Sequence, residues 1–394
     1  IFSGSGRQSQ GFYPLALCFS SKVALCAGNT YNHSMPKRKP RIKASEVEWP
    51  RQVGVVYSHV QREDFPTEEQ YITEKDAAHD AHLVGEYLGA MGVQVQLYLG
   101  DAALAERLQQ DGPEMVFNLV DSVKGQEDLA ATIPGVLELL GIPYTGAGML
   151  GLALDTNKFL IKELLQRNGL PVPRFQLFTS PKDYLDPTLR FPLISKLNAI
   201  HGGVEITRDA VSEDEKALRK RLRRLIRTYR QPVLVEEFVG GREITAILLE
   251  GNRKKVYLAE KIFRHTARPY IFLTFEDQWL TGPNAAFYYQ PYRDPLLREL
   301  VRKAFDVVNM ADYGKFDVRL DEAGRYYFID SNCNPAFGPK ETDTALSVIL
   351  DMNDISFYEI LKRLMMNTIR EQITASSPSS DDTPVETQNI ASLP

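Results

Sequence analysis

Cysteine is scarce in this chain of 394 residues, which has only Cys18, Cys26 and Cys333. An odd, sparse set builds no disulfide framework and fits a reducing compartment, so a cytoplasmic location is expected. Long apolar runs are missing too. None is long enough to span a bilayer, so no membrane partner is expected. Neither sign of charge dominates. The net charge is −5 and charged residues make up 25%, which gives no general reason to expect a nucleic-acid partner. The hydrophobic share of 43% is that of an ordinary globular chain, long enough for roughly two or three domains.

One absence is local. Residues 1–45 contain no Asp or Glu, yet carry Arg7, Lys22, Lys37, Arg38, Lys39, Arg41 and Lys43. An organelle-targeting segment has that composition. A translated leader ahead of a start at Met35 fits equally well. The run "PKRKPRIK" suits a nuclear signal, or more simply a solvated tail. At the other end "SSPSSDDTPVETQNIASLP" has few residues able to bury, so disorder is expected.

Between these ends, short apolar strands alternate with helical stretches. "VGVVYS" (53–58), "VQVQLYL" (93–99) and "MVFNLV" (115–120) read as strands. Helices fall at about 67–91, 102–110 and 128–140, the first with Ala77, Ala81, Val84 and Leu88 on one face. Such alternation predicts a parallel sheet flanked by helices. His79 and His82 lie three apart on the first helix, a spacing open to a metal pair. Without a third ligand in sequence, a helix surface is the simpler account.

The character then changes. "LGLALDTNKFLIKELLQRNGLPVP" reads as one helix ended by Gly169 and Pro171. In "FPLISKLNAIHGGVEITR", Lys196 closes a strand and Gly202-Gly203 make a flexible turn before the next strand. A strand lysine beside a glycine hairpin is one way to cover a polyphosphate. "EDEKALRKRLRRLIRTYR" resembles a nucleic-acid patch, but Leu218, Leu222, Leu225, Ile226 and Tyr229 fall at helical spacing, which makes it an amphipathic helix with a basic outer face. In "QPVLVEEFVGGREITAILLEGN" the strand 233–235 runs into Glu236 and Glu237. Gly240-Gly241 turn the chain into a second strand. The backbone at 236–239 suits an adenine and Glu243 suits ribose hydroxyls; a hairpin with exposed acids is the other reading.

"GKFDVRLDEAGRYYFIDSNCNPAFG" predicts two strands joined at Asp321–Gly324. The second stops where "DSNCNP" begins, since those residues form strands poorly. Folding the hairpin brings Asp317 near Asp330 and Asn332. Three oxygen-bearing side chains at one point suit a hard cation such as Mg²⁺, and an ordinary hairpin with polar ends is the plain alternative.

Together these stretches resemble the ATP-grasp enzymes, and within them the D-alanine–D-alanine ligases, over about residues 53–345. The likeness is strongest from "MVFNLVDSVKGQEDL" through "LELLGIPYTG" to "LDTNKFLIKELLQRNGLPVPRF". The resemblance implies an α/β fold of the α+β ATP-grasp kind. An N-terminal parallel α/β domain at 50–146 precedes a two-part ATP-grasp domain, 147–235 and 236–370, with leader at 1–49 and tail at 371–394. It implies that Lys158 and Lys196 contact ATP phosphates. Glu236, the backbone of Glu237 and Val239, and Glu243 would hold adenine and ribose. Asp317, Asp330 and Asn332 would bind Mg²⁺ or Mn²⁺, with Asp330 where the family usually has glutamate. Lys196 and Lys315 are the expected catalytic residues. Lys315 stands where the ligases have an arginine, keeping the charge but losing the planar fork.

The same resemblance implies an ATP-dependent carboxylate–amine ligase that works through an acyl phosphate. Its partners would be a small carboxylic acid and an amine or amino acid, with a homodimer as the candidate assembly. The acceptor half departs from the pattern. Glu63 is a loose match to the glutamate that takes the first amino group. Gly202 and Gly203 stand where the glycine-rich loop usually ends in serines, and Gln278 stands for a phosphate-binding lysine. "NPAFGPKETD" lacks the serine that grips the second carboxylate and offers only Pro339 and Lys340. A ligase with other substrates is therefore expected, ahead of a true D-alanine–D-alanine ligase or an ATP-binding regulator without turnover.

Overall fold

A computed structural model describes residues 49–264, 267–281 and 286–376, with no side-chain description beyond residue 370. The targeting or leader segment expected over 1–49, with Cys18 and Cys26, lies outside the described residues except for Trp49. The disordered tail expected over 371–394 lies mostly outside them.

Alternating apolar runs with turns between them give the first layer. β1 (Gln52–Tyr57) is followed by two helices, α1 (Glu68–Glu74) and α2 (Ala77–Ala90), rather than the single helix expected over 67–91. β2 (Gln94–Leu99), α3 (Leu104–Asp111) and β3 (Met115–Leu119) follow, then α4 (Thr132–Leu140). The sheet has order β2-β1-β3 and is parallel throughout. Ala81, Val84 and Leu88 of α2 are buried on one of its faces, as their spacing predicts, while Ala77, expected with them, is only half-buried. Leu104, Leu108, Ile133 and Leu137 of α3 and α4 cover the other. His79 and His82 are exposed on α2.

The expected helix over "LGLALDTNKFLIKELLQRNG" is also two, α5 (Met149–Asp155) and α6 (Lys158–Arg167). Asn157 breaks the run by capping α6, its side chain accepting from the Leu160 amide at 3.1 Å. Asn198 reinforces the break, its side-chain oxygen accepting from the Phe159 amide at 2.9 Å. A side-chain oxygen that takes an orphan amide makes such a residue a starter and not a continuer of helix.

β4 (Phe175–Phe178), β5 (Leu193–Leu197), β6 (Val211–Ser212) and β7 (Val233–Glu237) form an antiparallel sheet of order β4-β7-β5-β6. The strand expected directly after Gly202-Gly203 is absent; only the two residues of β6 pair. Between β6 and β7 lies α7 (Glu215–Tyr229), with Leu218, Leu222 and Leu225 buried on the sheet. The arginine-rich run is thus an amphipathic helix.

A third sheet holds β8 (Arg242–Leu249), β9 (Lys255–Phe263), β10 (Phe287–Tyr292), β11 (Tyr313–Leu320) and β12 (Tyr326–Asn332) in the order β10-β9-β8-β11-β12. The short α8 (Phe275–Trp279) lies between β9 and β10, and α9 (Pro295–Val307) follows β10, burying Leu297, Val301, Ala304 and Phe305. α10 (Ala345–Asp351) and α11 (Phe357–Ser376) close the chain and pack their apolar faces with α2 and β8. α11 runs past the boundary expected at 370.

β7 and β8 therefore do not form a hairpin. They belong to different sheets, and residues 238–241 carry the chain from one to the other. Gly241 is required there. Its φ is +109°, and a Cβ would sit 2.2 Å from the Leu320 carbonyl oxygen. Gly241→Ala combines backbone strain with a main-chain clash, so it is expected to lower stability by at least about 2 kcal/mol. The denaturant midpoint checks this.

Candidate functional site

The second and third sheets border a cleft of about 1060 Å³. Lys158, Lys196, Glu236, Glu237, Val239, Glu243, Lys315, Asp317, Asp330 and Asn332 all line it. Sequence stretches far apart in the chain thus supply one wall each.

The hairpin of β11 and β12 sets the floor. Asp317 is opposite Asp330 and Lys315 is opposite Asn332, with an irregularity between Asp317 and Val318. Directly opposed residues on antiparallel strands share a face, so two carboxylates, a carboxamide and an ammonium meet on one side of the pair. The second strand does not stop at Asp330; it pairs through Asn332, because Lys315 and Phe316 supply partners to its polar end. Asp317 is buried. Its Oδ1 accepts from Thr245 Oγ1 at 2.7 Å and from Lys261 Nζ at 3.1 Å, and its Oδ2 accepts from Lys315 Nζ at 2.6 Å. Burial opposes the charge, but Lys261 and Lys315 outweigh it and hold the carboxyl far below the usual range. Burial likewise opposes the Asp330 charge, and Lys158, Lys196 and Lys315 outweigh it.

Glu236 sits between two lysines. Its Oε1 lies 2.6 Å from Lys162 Nζ and its Oε2 lies 2.6 Å from Lys196 Nζ, with Glu236 and Lys162 nearly inaccessible and Lys196 half-buried. Both ammonium groups also reach across to β12. Lys162 donates to the Phe328 carbonyl at 2.7 Å and Lys196 to the Ile329 carbonyl at 2.8 Å. The triad therefore ties α6, β5 and β7 to β12. Burial works against the Glu236 charge, yet the two lysines hold its carboxyl below the ordinary value. Burial pushes Lys162 down to about 8, only partly offset by Glu236. Lys196 goes the other way: burial lowers it, but Glu236 and Asp330 raise it overall.

Glu243, expected beside ribose, is buried, not exposed, and its oxygens meet Lys261 Nζ at 2.7 Å and Arg319 at 2.8 Å. The Glu237 amide is taken by the Arg174 carbonyl at 2.9 Å, and its carboxylate accepts from the Arg190 amide at 2.9 Å. Lys158 donates to the Ile200 carbonyl at 2.8 Å.

Gly202 and Gly203 both have φ near +70°, at +68° and +71°. Their turn is clamped rather than free. A Cβ on Gly202 would meet Thr73 of α1 at 2.4 Å, and Trp279 of α8 donates to the Gly202 carbonyl at 2.8 Å. Gln278 is exposed on the same short helix, at the cleft. Lys340 also borders the cleft, with its ammonium 2.6 Å from the Asp351 carboxylate. Glu63 is exposed and is not among the lining residues. Among the described residues no group of three or more His, Cys, Asp or Glu is arranged to hold a metal; Asp317, Asp330 and Asn332 are two aspartates and an asparagine.

Several charged residues escape the sequence reading, and Lys162 among them lies behind the cleft, not on its lining. Lys162 lies four residues after Lys158, so it shares that helix face, which is the one available signal. Lys261 is buried in a strand with no sequence hint of its partners. Glu74, Glu127 and Asp155 also line the cleft.

Residues 164–365 match the family described as D-ala D-ala ligase C-terminus. A D-alanine--D-alanine ligase of Halorhodospira halophila is 31% identical over 251 residues, covering 63% of this chain and 77% of that protein. One from Pseudomonas entomophila is 31% identical over 258 residues, covering 64% and 76%. Among solved structures, the D-alanine--D-alanine ligase of Bacillus anthracis complexed with ATP superposes with a TM-score of 0.62 at 17% identity, over 83% of this chain and 99% of that one.

Proposed function

This chain belongs to the D-alanine–D-alanine ligase family, and on that premise we propose that it joins a small carboxylic acid to an amine or amino acid at the expense of ATP. The observation that carries the proposal is the convergence of Lys158, Lys196, Lys315, Asp317, Asp330 and Asn332 on one cleft between two antiparallel sheets.

In this reading the triphosphate lies along the lysines. Lys158 and Lys196 offer ammonium groups to its oxygens, and Lys261 and Lys315 extend the positive wall. The adenine meets the backbone at Glu237 and Val239, where the chain crosses between sheets. With the Glu237 amide already committed, its carbonyl is the group left to accept from the exocyclic amine. Glu236 acts by holding Lys162 and Lys196 in place, and Glu243 is the ribose-side acid. Asp317, Asp330 and Asn332 fit a hard cation: all three offer oxygen, and two carry charge. They would hold Mg²⁺ or Mn²⁺, which when bound neutralises phosphate charge during transfer.

A carboxylate oxygen of the acid attacks the γ-phosphorus, ADP leaves, and an acyl phosphate forms. The amine nitrogen then attacks the carbonyl carbon and loses a proton, and the C–O bond breaks to release inorganic phosphate. Lys315 stands at the carbonyl, where an ammonium offsets developing oxyanion charge. The domain boundaries 50–146, 147–235 and 236–370 are carried with this reading, each span holding one sheet, although the change of sheet falls after Glu237.

The 31% identity to D-alanine–D-alanine ligases favours D-alanine as a second reading for both substrates. One assay separates the two. The acceptor side offers Lys340, paired to Asp351, and no serine in "NPAFGPKETD" to grip a carboxylate. Sites lose discrimination when such donors go. Little or no D-alanyl-D-alanine is therefore expected at millimolar D-alanine with Mg²⁺ and ATP. A different acid–amine pair should release phosphate at an ordinary rate, roughly 1–100 per second. Efficient formation of the dipeptide makes the second reading correct.

A further inference from the structure

β11 brings a second cation to the cleft. Lys315, Asp317 and Arg319 alternate along it, and all three line the cleft. Arg319 is directly opposite Glu243 on β8, so the two share a face. Arg319 is 3% exposed, and its donors go to three separate stretches of chain. Nη2 lies 2.8 Å from Glu243 Oε2 and donates to the Ile271 carbonyl at 2.9 Å. Nη1 donates to the Gly241 carbonyl at 3.3 Å. The guanidinium carbon lies 5.7 Å from the centre of the Phe238 ring, within cation–π range. Phe238 in turn meets Tyr270 and Phe272 edge-on, with ring centres 5.1 and 5.9 Å apart.

Glu243 thus has two cations, and they are tied to different things. Lys261 meets its Oε1 at 2.7 Å but is shared with Asp317, 3.1 Å away. Among the described residues Glu243 is the one acid that Arg319 pairs with. A guanidinium is a rigid planar fork. With one arm on the Gly241 carbonyl and its carbon by the Phe238 ring, the direction from which it holds Oε2 is set. Burial opposes the Glu243 charge, and Lys261 and Arg319 outweigh it, so the carboxylate stays ionised. An ionised carboxylate has about four acceptor positions, two on each oxygen. The cations take one on each. One on each is left, which matches two neighbouring hydroxyls.

We propose that Arg319 is the positioning residue for the sugar of the nucleotide, aiming Glu243 so that its two oxygens accept from the two ribose hydroxyls. This rests on the ligase reading, in which Glu243 is the ribose-side acid, and adds what makes the site select a sugar. The Gly241 and Ile271 carbonyls and the Phe238 ring hold the guanidinium, and the guanidinium holds Glu243. A lysine at this position is a point charge on a flexible stem, which cannot serve three acceptors and leaves the carboxylate free to turn. A nucleotide without the hydroxyls leaves both oxygens short of a donor, and such unfilled positions set discrimination.

The test is calorimetric titration of the full chain with ATP and with 2′,3′-dideoxyATP, each with Mg²⁺. ATP is expected to bind at least about tenfold more tightly, the effect of hydrogen bonds from the diol to a charged acceptor. In Arg319→Met and Arg319→Lys, each checked for a cooperative thermal melt, the preference should fall below about threefold, with the loss falling on ATP. Arg319→Lys keeps the charge beside Glu243, so it carries the test should Arg319→Met fail to fold. Equal binding of the two nucleotides by the parent, or a preference that survives in either folded variant, overturns the proposal. So does a loss shared equally by both nucleotides, which is what a merely structural role would give. Binding of both nucleotides without a sugar preference sinks this inference and leaves the ligase reading standing. Binding of neither sinks the two together.

Discussion

Asp330→Asn is expected to cut ATP turnover by at least about 100-fold, some 2.7 kcal/mol of barrier, with the fold retained. The change keeps the shape of the side chain and removes one of two carboxylates from the proposed cation site. Asp330 is the better of the two aspartates to replace. Asp317 is wedged between Lys261 and Lys315 and accepts from Thr245, so Asp317→Asn also leaves two buried ammonium groups poorly answered. Its loss of activity would arrive together with a loss of stability. Phosphate release and a thermal melt on both variants check this. Parent-level turnover in Asp330→Asn removes the cation assignment.

The second large effect is structural. Glu236→Gln is expected to destabilise the protein by about 3–5 kcal/mol, because a buried carboxylate is removed from between two buried ammonium groups. The sign of the pH dependence follows from the lowered Glu236 value. A carboxyl whose folded value lies below its unfolded one supplies stability that is complete above the unfolded value. That stability is lost as pH falls through the folded one. The gap between parent and variant should therefore be full at neutral pH and close in acid. Adding Lys162→Met to Glu236→Gln should recover part of the loss by removing one stranded charge. Denaturant midpoints of the single and double variants measure this, and a single-variant loss under about 1 kcal/mol would show that the triad carries no such weight.

What the sequence discloses depends on how local the cause is. The β11–β12 pair is legible because alternation and the Asp321–Gly324 turn are contained within twenty residues or so, which fixes the Asp317–Asp330 register. The parallel sheet is legible for the same reason: each strand and helix announces itself. The Gly240-Gly241 turn is taken to join paired strands because two strands flanking Gly-Gly look alike whether they pair with each other or with different sheets. Only the distant partners Lys196, Lys261 and Arg319 decide. The helix breaks before α2 and at Asn157 are missed because apolar spacing continues across them. At Asn157 the break is made by a cap, with Asn198 added from a distant strand. Lys162 carries no signal of its role because the strand carbonyl and carboxylate it serves come from elsewhere in the chain, and the Cys333 amide that Asp155 accepts is as distant.

The cross-sheet triad bears on any attempt to work with a shortened protein. The segment 164–365 alone matches the ligase C-terminal family and makes a natural expression fragment. It would keep Glu236 and Lys196 but leave Lys162 behind, along with Lys158 and Asp155. Phe328 would lose the ammonium on its carbonyl, and Cys333 would lose the acceptor for its amide. Such a fragment would carry both antiparallel sheets and the complete β11–β12 hairpin. Weak nucleotide binding by it would say nothing about the full chain, because the fragment lacks Lys158 and one corner of the triad.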